Sequence, residues 1–124
     1  MEFKIDTKDA FTVIIPSTRA LDAKLAEEIV SKCEETRLNG SNNLIIDLQH
    51  VTEANSDAIE KMVELHENSY SSDQSLVFTG IGTNLMASLK ASETDLLLNI
   101  APKMIEAVDI ISMEILERDL FGEE

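Results

Sequence analysis

The chain has 124 residues, of which 44% are hydrophobic and only 4% aromatic, and a formal net charge of −14. That length suits one domain spanning 1–124, with a core of Ile, Leu, Val, Met and Ala. The charge repels nucleic-acid phosphates and anionic lipid headgroups and argues against both as partners; a basic protein surface is the natural target, although solubility alone also accounts for the charge.

In chain order, "MEFKID" and "FTVIIP" are short β-type runs separated by the polar "TKDA", a hairpin-like opening that Pro16 ends because it cannot donate to a ladder. From Leu21 the period changes. Leu25, Ala26, Ile29, Val30 and Cys33 share one helical face, with Lys24, Glu27, Glu28 and Glu34 opposite. "LNGSNN" stops that helix, with Gly40 placed for its C-terminal cap. "LIIDL" is a continuous aliphatic run, expected of a strand covered on both faces. Ile59, Met62, Val63, His66 and Tyr70 mark the next helical stripe, and "SLVFTG" another short strand. Leu85, Met86 and Leu89 predict a short third helix, and "DLLLNI" a last short strand. Beyond it, Met104, Val108, Ile111 and Ile115 form the stripe of a fourth helix, with Pro102 tolerated in its first turn. Strands alternating with helices predict an α/β domain: a mostly parallel sheet of four to five strands, an N-terminal edge strand and about four helices.

Few residues promise catalysis. Cys33, His50 and His66 fall in three different elements without metal-ligand spacing, and Cys33 has no mate for a disulfide. Gly80-Ile81-Gly82 sits between a strand and a helix, where amides can cradle a phosphate, but Leu85 stands where a dinucleotide fingerprint needs its third glycine. A tight turn needing positive φ explains the glycines better. Asp47 ends a buried strand as the phospho-accepting aspartate of receiver domains does, yet no adjacent acidic pair follows the first strand. It reads better as a strand-end residue bonded to a neighbouring turn. Asp22 precedes the first helix and suits its N-cap. These residues predict no catalytic set, no metal and no cofactor. "MEFKIDTKDA" lacks the basic and apolar regions of a secretory signal, and no apolar run approaches the roughly 20 residues of a membrane span, so a cytoplasmic protein is expected.

Read together, "LIIDLQHVTEANSDAIEKM" resembles the central segment of STAS domains, the fold of bacterial anti-sigma factor antagonists. In that family an aliphatic strand ends in Asp-Leu, and a short loop leads to Asp-Ser-Ser/Thr-Gly at a helix start. Here Asp47-Leu48 match the pair; Asn55 takes the Asp place, Ser56 the first Ser, Asp57 the phosphorylated Ser/Thr, and Ala58 the Gly. "STRALDAKLAEEI" resembles the segment before the family's first helix through Leu21 and Asp22, and "IAPKMIEAVDII" its last helix through Glu106 and Ala107.

The resemblance implies a non-enzymatic interaction module, regulating transcription by binding an anti-sigma factor or a related kinase-fold regulator; a homodimer is compatible with it. Its partner-binding residues would be Asp22, Asn55, Ser56, Asp57, Ala58, Gly82 and Thr83. In the family, phosphorylation at the helix start blocks binding, because a phosphate brings about −1.5 to −2 charge to the contact surface. This chain carries Asp57 there, an acid that a serine/threonine kinase cannot phosphorylate, with Glu53 nearby and Ser56 as the remaining phosphorylation candidate. The alternative is a small-ligand sensor or phosphotransfer domain that binds an anion or nucleotide at the same sheet edge.

Overall fold

A computed structural model describes residues 1–121 of the chain. Strands β1 (Phe3–Thr7) and β2 (Thr12–Pro16) pair antiparallel, with Phe3 opposite Pro16 and Thr7 opposite Thr12. The turn between them is closed by the Lys8 amide donating to the Phe11 carbonyl at 2.8 Å. There follow β3 (Ala20–Leu21), α1 (Ala23–Leu38), β4 (Leu44–Asp47), β5 (Glu53–Ala54), α2 (Ser56–Ser71), β6 (Leu76–Thr79), α3 (Thr83–Ala91) and α4 (Met104–Phe121).

The main sheet has the order β1-β2-β4-β6, with β2, β4 and β6 mutually parallel and β1 as the antiparallel edge. Every residue of β4 and β6 is buried, as expected of strands covered on both faces. Alternation along them sorts the aliphatics. Ile14, Leu44, Ile46, Leu76 and Phe78 meet α1, α2 and α3 through Ile29, Cys33, Met62, Leu65 and Leu85. Val13, Ile45 and Val77 meet α4 on the opposite face through Ala107 and Ile111.

Three expectations are corrected. "DLLLNI" forms no strand. The Leu97 amide donates to the Thr94 carbonyl at 3.0 Å, closing a turn that leaves Leu96 in solvent while Leu98 is buried. Only Ile100 bridges Phe78 in parallel, because leucines divided between water and core leave no continuous segment for a ladder. Pro102 stands before the helix: the Lys103 carbonyl accepts the opening α4 bond from the Ala107 amide at 3.1 Å. The α2 stripe is rotated, with Ala58, Ile59, Met62, Leu65 and Ser69 buried while Val63, His66 and Tyr70 lie half-buried at its margin. Small Ser69 allows a close approach of α1, whose Arg37 Nη2 donates to the Ser69 Oγ at 2.6 Å.

Tyr70 explains its marginal position by bridging the two helical layers. Its hydroxyl donates to Glu114 Oε1 at 2.8 Å and accepts from Asn99 Nδ2 at 2.8 Å, while Ser75 Oγ donates to the same Glu114 oxygen at 2.6 Å. Arg118 Nη2 completes the set, donating to Asn43 Oδ1 at 2.8 Å and to Ser75 Oγ at 2.9 Å. This network ties α4 to α2 and to the amino ends of β4 and β6. Burial, reinforced by the bond to Glu114, pushes the Tyr70 hydroxyl up to about 12.

Candidate functional site

Parallel strands that feed helices collect their outgoing loops at one edge of the sheet, and that edge is where sites form. Here β4 ends in Asp47 and β6 in Thr79, held together by the Leu48 amide donating to the Thr79 carbonyl at 2.9 Å. The Asp47 carboxylate accepts from the Gln49 amide at 3.1 Å and from Gln49 Nε2 at 2.9 Å, so it is bonded to its own turn. Gly80 lies against it with φ +73°, and a Cβ there would fall onto the Asp47 carboxylate. Only glycine satisfies both demands. Gly82 has φ −79° and caps α3 without a side-chain bond.

The pair β3–β5 organises this edge. The residues are too few to show any period in the sequence, but Ala20 opposes Glu53 and Leu21 opposes Ala54 in parallel. The Asn55 amide donates to the Leu21 carbonyl at 3.0 Å, and the Thr52 amide to the Arg19 carbonyl at 2.8 Å. Asp22 and Asn55 follow the paired residues directly, so the starts of α1 and α2 lie side by side. Each is the N-cap of its helix: Asp22 Oδ1 accepts from the Leu25 amide at 2.8 Å, and Asn55 Oδ1 from the Ala58 amide at 2.9 Å. Because Asn55 makes the capping bond, Ser56 does not; Ser56 and Asp57 are both exposed in the first turn of α2.

Of the residues expected to meet a partner, Asp22, Asn55, Ser56, Asp57, Gly82 and Thr83 are exposed at this edge, whereas Ala58 is fully buried in the core. Ala58 therefore positions the turn and presents no side chain. Helix α3 packs against β5, which brings its start to the same end of the sheet. Sequence reasoning missed a neighbouring groove of about 600 Å³, lined by Ser56, Ile59, Glu60, Val63, Ala91 and Leu97 among others. It starts at Ser56 and runs between α2 and α3. Its apolar lining was present in the sequence as Ile59 and Val63, read as part of a helical stripe, and Leu97, read as part of a strand.

Charge at the edge is acidic, with Asp22, Glu53, Asp57 and Glu60 exposed. The Asp47 carboxylate beside Gly80 adds to a surface that disfavours a phosphate at the glycine turn. Among the described residues, no three His, Cys, Asp or Glu side chains converge to hold a metal ion. His50 is exposed at the β4–β5 connection, His66 is half-buried on α2 beside the Tyr70 ring, and Cys33 is buried on the inner face of α1. Burial pushes the Cys33 thiol up to about 12. No described helix is long and apolar enough to cross a membrane.

No family model and no curated protein matches the sequence. Solved structures do match the fold. A Thermotoga maritima protein assigned as an anti-sigma factor antagonist superposes with a TM-score of 0.73 at 17% identity, covering 89% of this chain and 94% of its own. An anti-sigma factor antagonist from Mycobacterium paratuberculosis gives 0.69 at 14% identity, covering 90% and 93%. The Bacillus cell fate determinant SpoIIAA in its phosphorylated form gives 0.61 at 14% identity, covering 89% and 99%. Each of these likenesses covers about nine-tenths of the chain. The chain has the STAS-domain fold of the anti-sigma factor antagonists.

Proposed function

We propose that the chain is a single-domain, non-enzymatic interaction module that binds an anti-sigma factor or a related kinase-fold regulator through the start of α2. The observation that carries this reading is the exposure of Ser56 and Asp57 on a helix start clamped beside that of α1, in a fold shared with anti-sigma factor antagonists. Asn55 fixes the backbone, so the first turn is preorganised for a partner. Asp22, Gly82 and Thr83 flank it, and the groove between α2 and α3 offers an apolar seat beside it.

Asp57 sets the state of the surface. A carboxylate in a first helical turn is stabilised by the helix dipole, so the fold tolerates it. Towards a partner it presents the negative charge that a phosphorylated serine or threonine would present there, in weaker form. Ser56 keeps an exposed hydroxyl one residue earlier, where a phosphate would add a second negative charge beside Asp57. Support for a phosphorylation-sensitive surface comes from SpoIIAA, a protein of the same fold described in both unphosphorylated and phosphorylated forms.

The test is affinity capture from the cells that make the protein, with the wild-type chain and with Ser56→Arg as baits. Ser56 is exposed and does not cap, so the variant should melt within a few degrees of wild type. The reading expects a kinase-fold or anti-sigma protein to be recovered by wild type and lost with Ser56→Arg. Equal recovery by both baits, or absence of any such protein, contradicts it.

A further inference from the structure

The outer face of α4 has no use in the site above and is the wrong kind of surface to leave in water. On this 18-residue helix, Ala107 and Ile111 turn to the sheet. Ile105, Met113, Leu116 and Leu120 turn away from it and are between 59% and 73% exposed. Their spacing of eight, three and four residues keeps them on one stripe. Over fifteen residues of helix the stripe runs about 22 Å. Single exposed aliphatics are ordinary, but Met113, Leu116 and Leu120 adjoin on one helix face, with Ile105 in line beyond Asp109, and make a patch of the kind that marks an interaction surface.

The charges beside the stripe say what covers it. Asp109, Glu117 and Asp119 are exposed around these four residues, while the helix's one arginine, Arg118, is turned inward to Asn43 and Ser75. Asp109 thus sits within the stripe, between Ile105 and Met113, and Glu117 and Asp119 form an acidic rim on its two sides. A second copy of the chain would bring the same acids on a molecule of charge −14, and an anionic membrane would repel them as strongly. A partner segment with apolar residues at helical spacing and Lys or Arg on its flanks satisfies both stripe and rim. We propose that the outer face of α4 is a docking surface for a basic amphipathic helix of a partner protein, separate from the contact at the start of α2. It lies on the opposite face of the sheet from α1, α2 and α3. Both surfaces can therefore be occupied at once.

The probe is a fluorescein-labelled peptide of about 18 residues, with leucines at helical spacing flanked by lysines. Two controls accompany it: a scrambled peptide of the same composition, and one with glutamates in place of the lysines. The 124-residue chain should bind the first most tightly, with amide shifts at Ile105, Met113, Leu116 and Leu120 and none at Asn55 to Ala58. Leu116→Asp, at an exposed position that leaves folding intact, should weaken binding at least about tenfold, as loss of one buried leucine contact would. Asp109→Lys combined with Glu117→Lys should weaken it too and flatten its salt dependence. Equal binding of the scrambled peptide, unchanged binding by Leu116→Asp, or shifts confined to another face overturn the proposal. So does a concentration-dependent dimer dissolved by Leu116→Asp, which assigns the face to a second copy. Binding of anionic vesicles through the same residues overturns it in favour of a membrane.

Discussion

Asn55 and Ser56 are adjacent and chemically alike as helix starters, yet the structure divides their work: Asn55 accepts from the Ala58 amide and Ser56 is left in solvent. Asn55→Ala should cost about 0.5–2 kcal/mol in urea unfolding, the usual loss for a cap, whereas Ser56→Ala should stay within about 0.5 kcal/mol of wild type. A larger loss at Ser56 would mean that its hydroxyl is engaged. The four-residue segment was legible in the sequence as a helix start, because Asn, Ser and Asp all favour one. Which of them caps was not, since that depends on the rotation at which α2 leaves β5. Ala58 shows the same limit: placed in the motif by counting, it is buried by that rotation.

Whole elements were easier to read where a period could develop. Helix α1, with Asp22 as its cap and Gly40 at positive φ beyond its end, follows from local signals alone, and so do the buried runs of β4 and β6. The pair β3–β5 has two residues on each side and no period, and "DLLLNI" has apolar residues that only tertiary packing sorts into turn and core. Two substitutions test how elements are joined. Gly80→Ala combines a left-handed backbone with a Cβ against the Asp47 carboxylate and should cost about 1–3 kcal/mol, read from the urea midpoint. Tyr70→Phe removes a donor from Glu114 and an acceptor from Asn99, loosening α4 from α2, and should cost a similar 1–3 kcal/mol. A near-neutral Tyr70→Phe would place the fastening of α4 in its apolar contacts alone.

At the scale of the whole molecule, the buried Cys33 and the half-buried Tyr70 make stability depend on alkaline pH. Burial raises Cys33 from 9.0 to about 12, and burial with the Glu114 bond raises Tyr70 from 10.0 to about 12. Both pKa values are higher folded than unfolded, so the contribution is complete below the unfolded values and is lost as pH rises through the folded ones. Thermal denaturation should therefore show a melting temperature that declines between about pH 9 and pH 12, with Cys33→Ala removing part of the decline. A flat profile over that window would mean that neither group is protected by the fold. Under the proposed function, the edge that gathers the starts of α1, α2 and α3 presents one acidic turn to a partner, and Asp57 is the residue on which that proposal converges. Calorimetric titration of the regulator recovered from native cells, with wild type and with Asp57→Ser, tests this most directly. The fold should lose only about 0.3–1 kcal/mol, since a first-turn carboxylate contributes no more. The dissociation constant should move by about five- to 150-fold, tighter if the partner reads a neutral hydroxyl and weaker if it offers a basic pocket. An unchanged dissociation constant would contradict the account and leave Asp57 as a helix-start residue only.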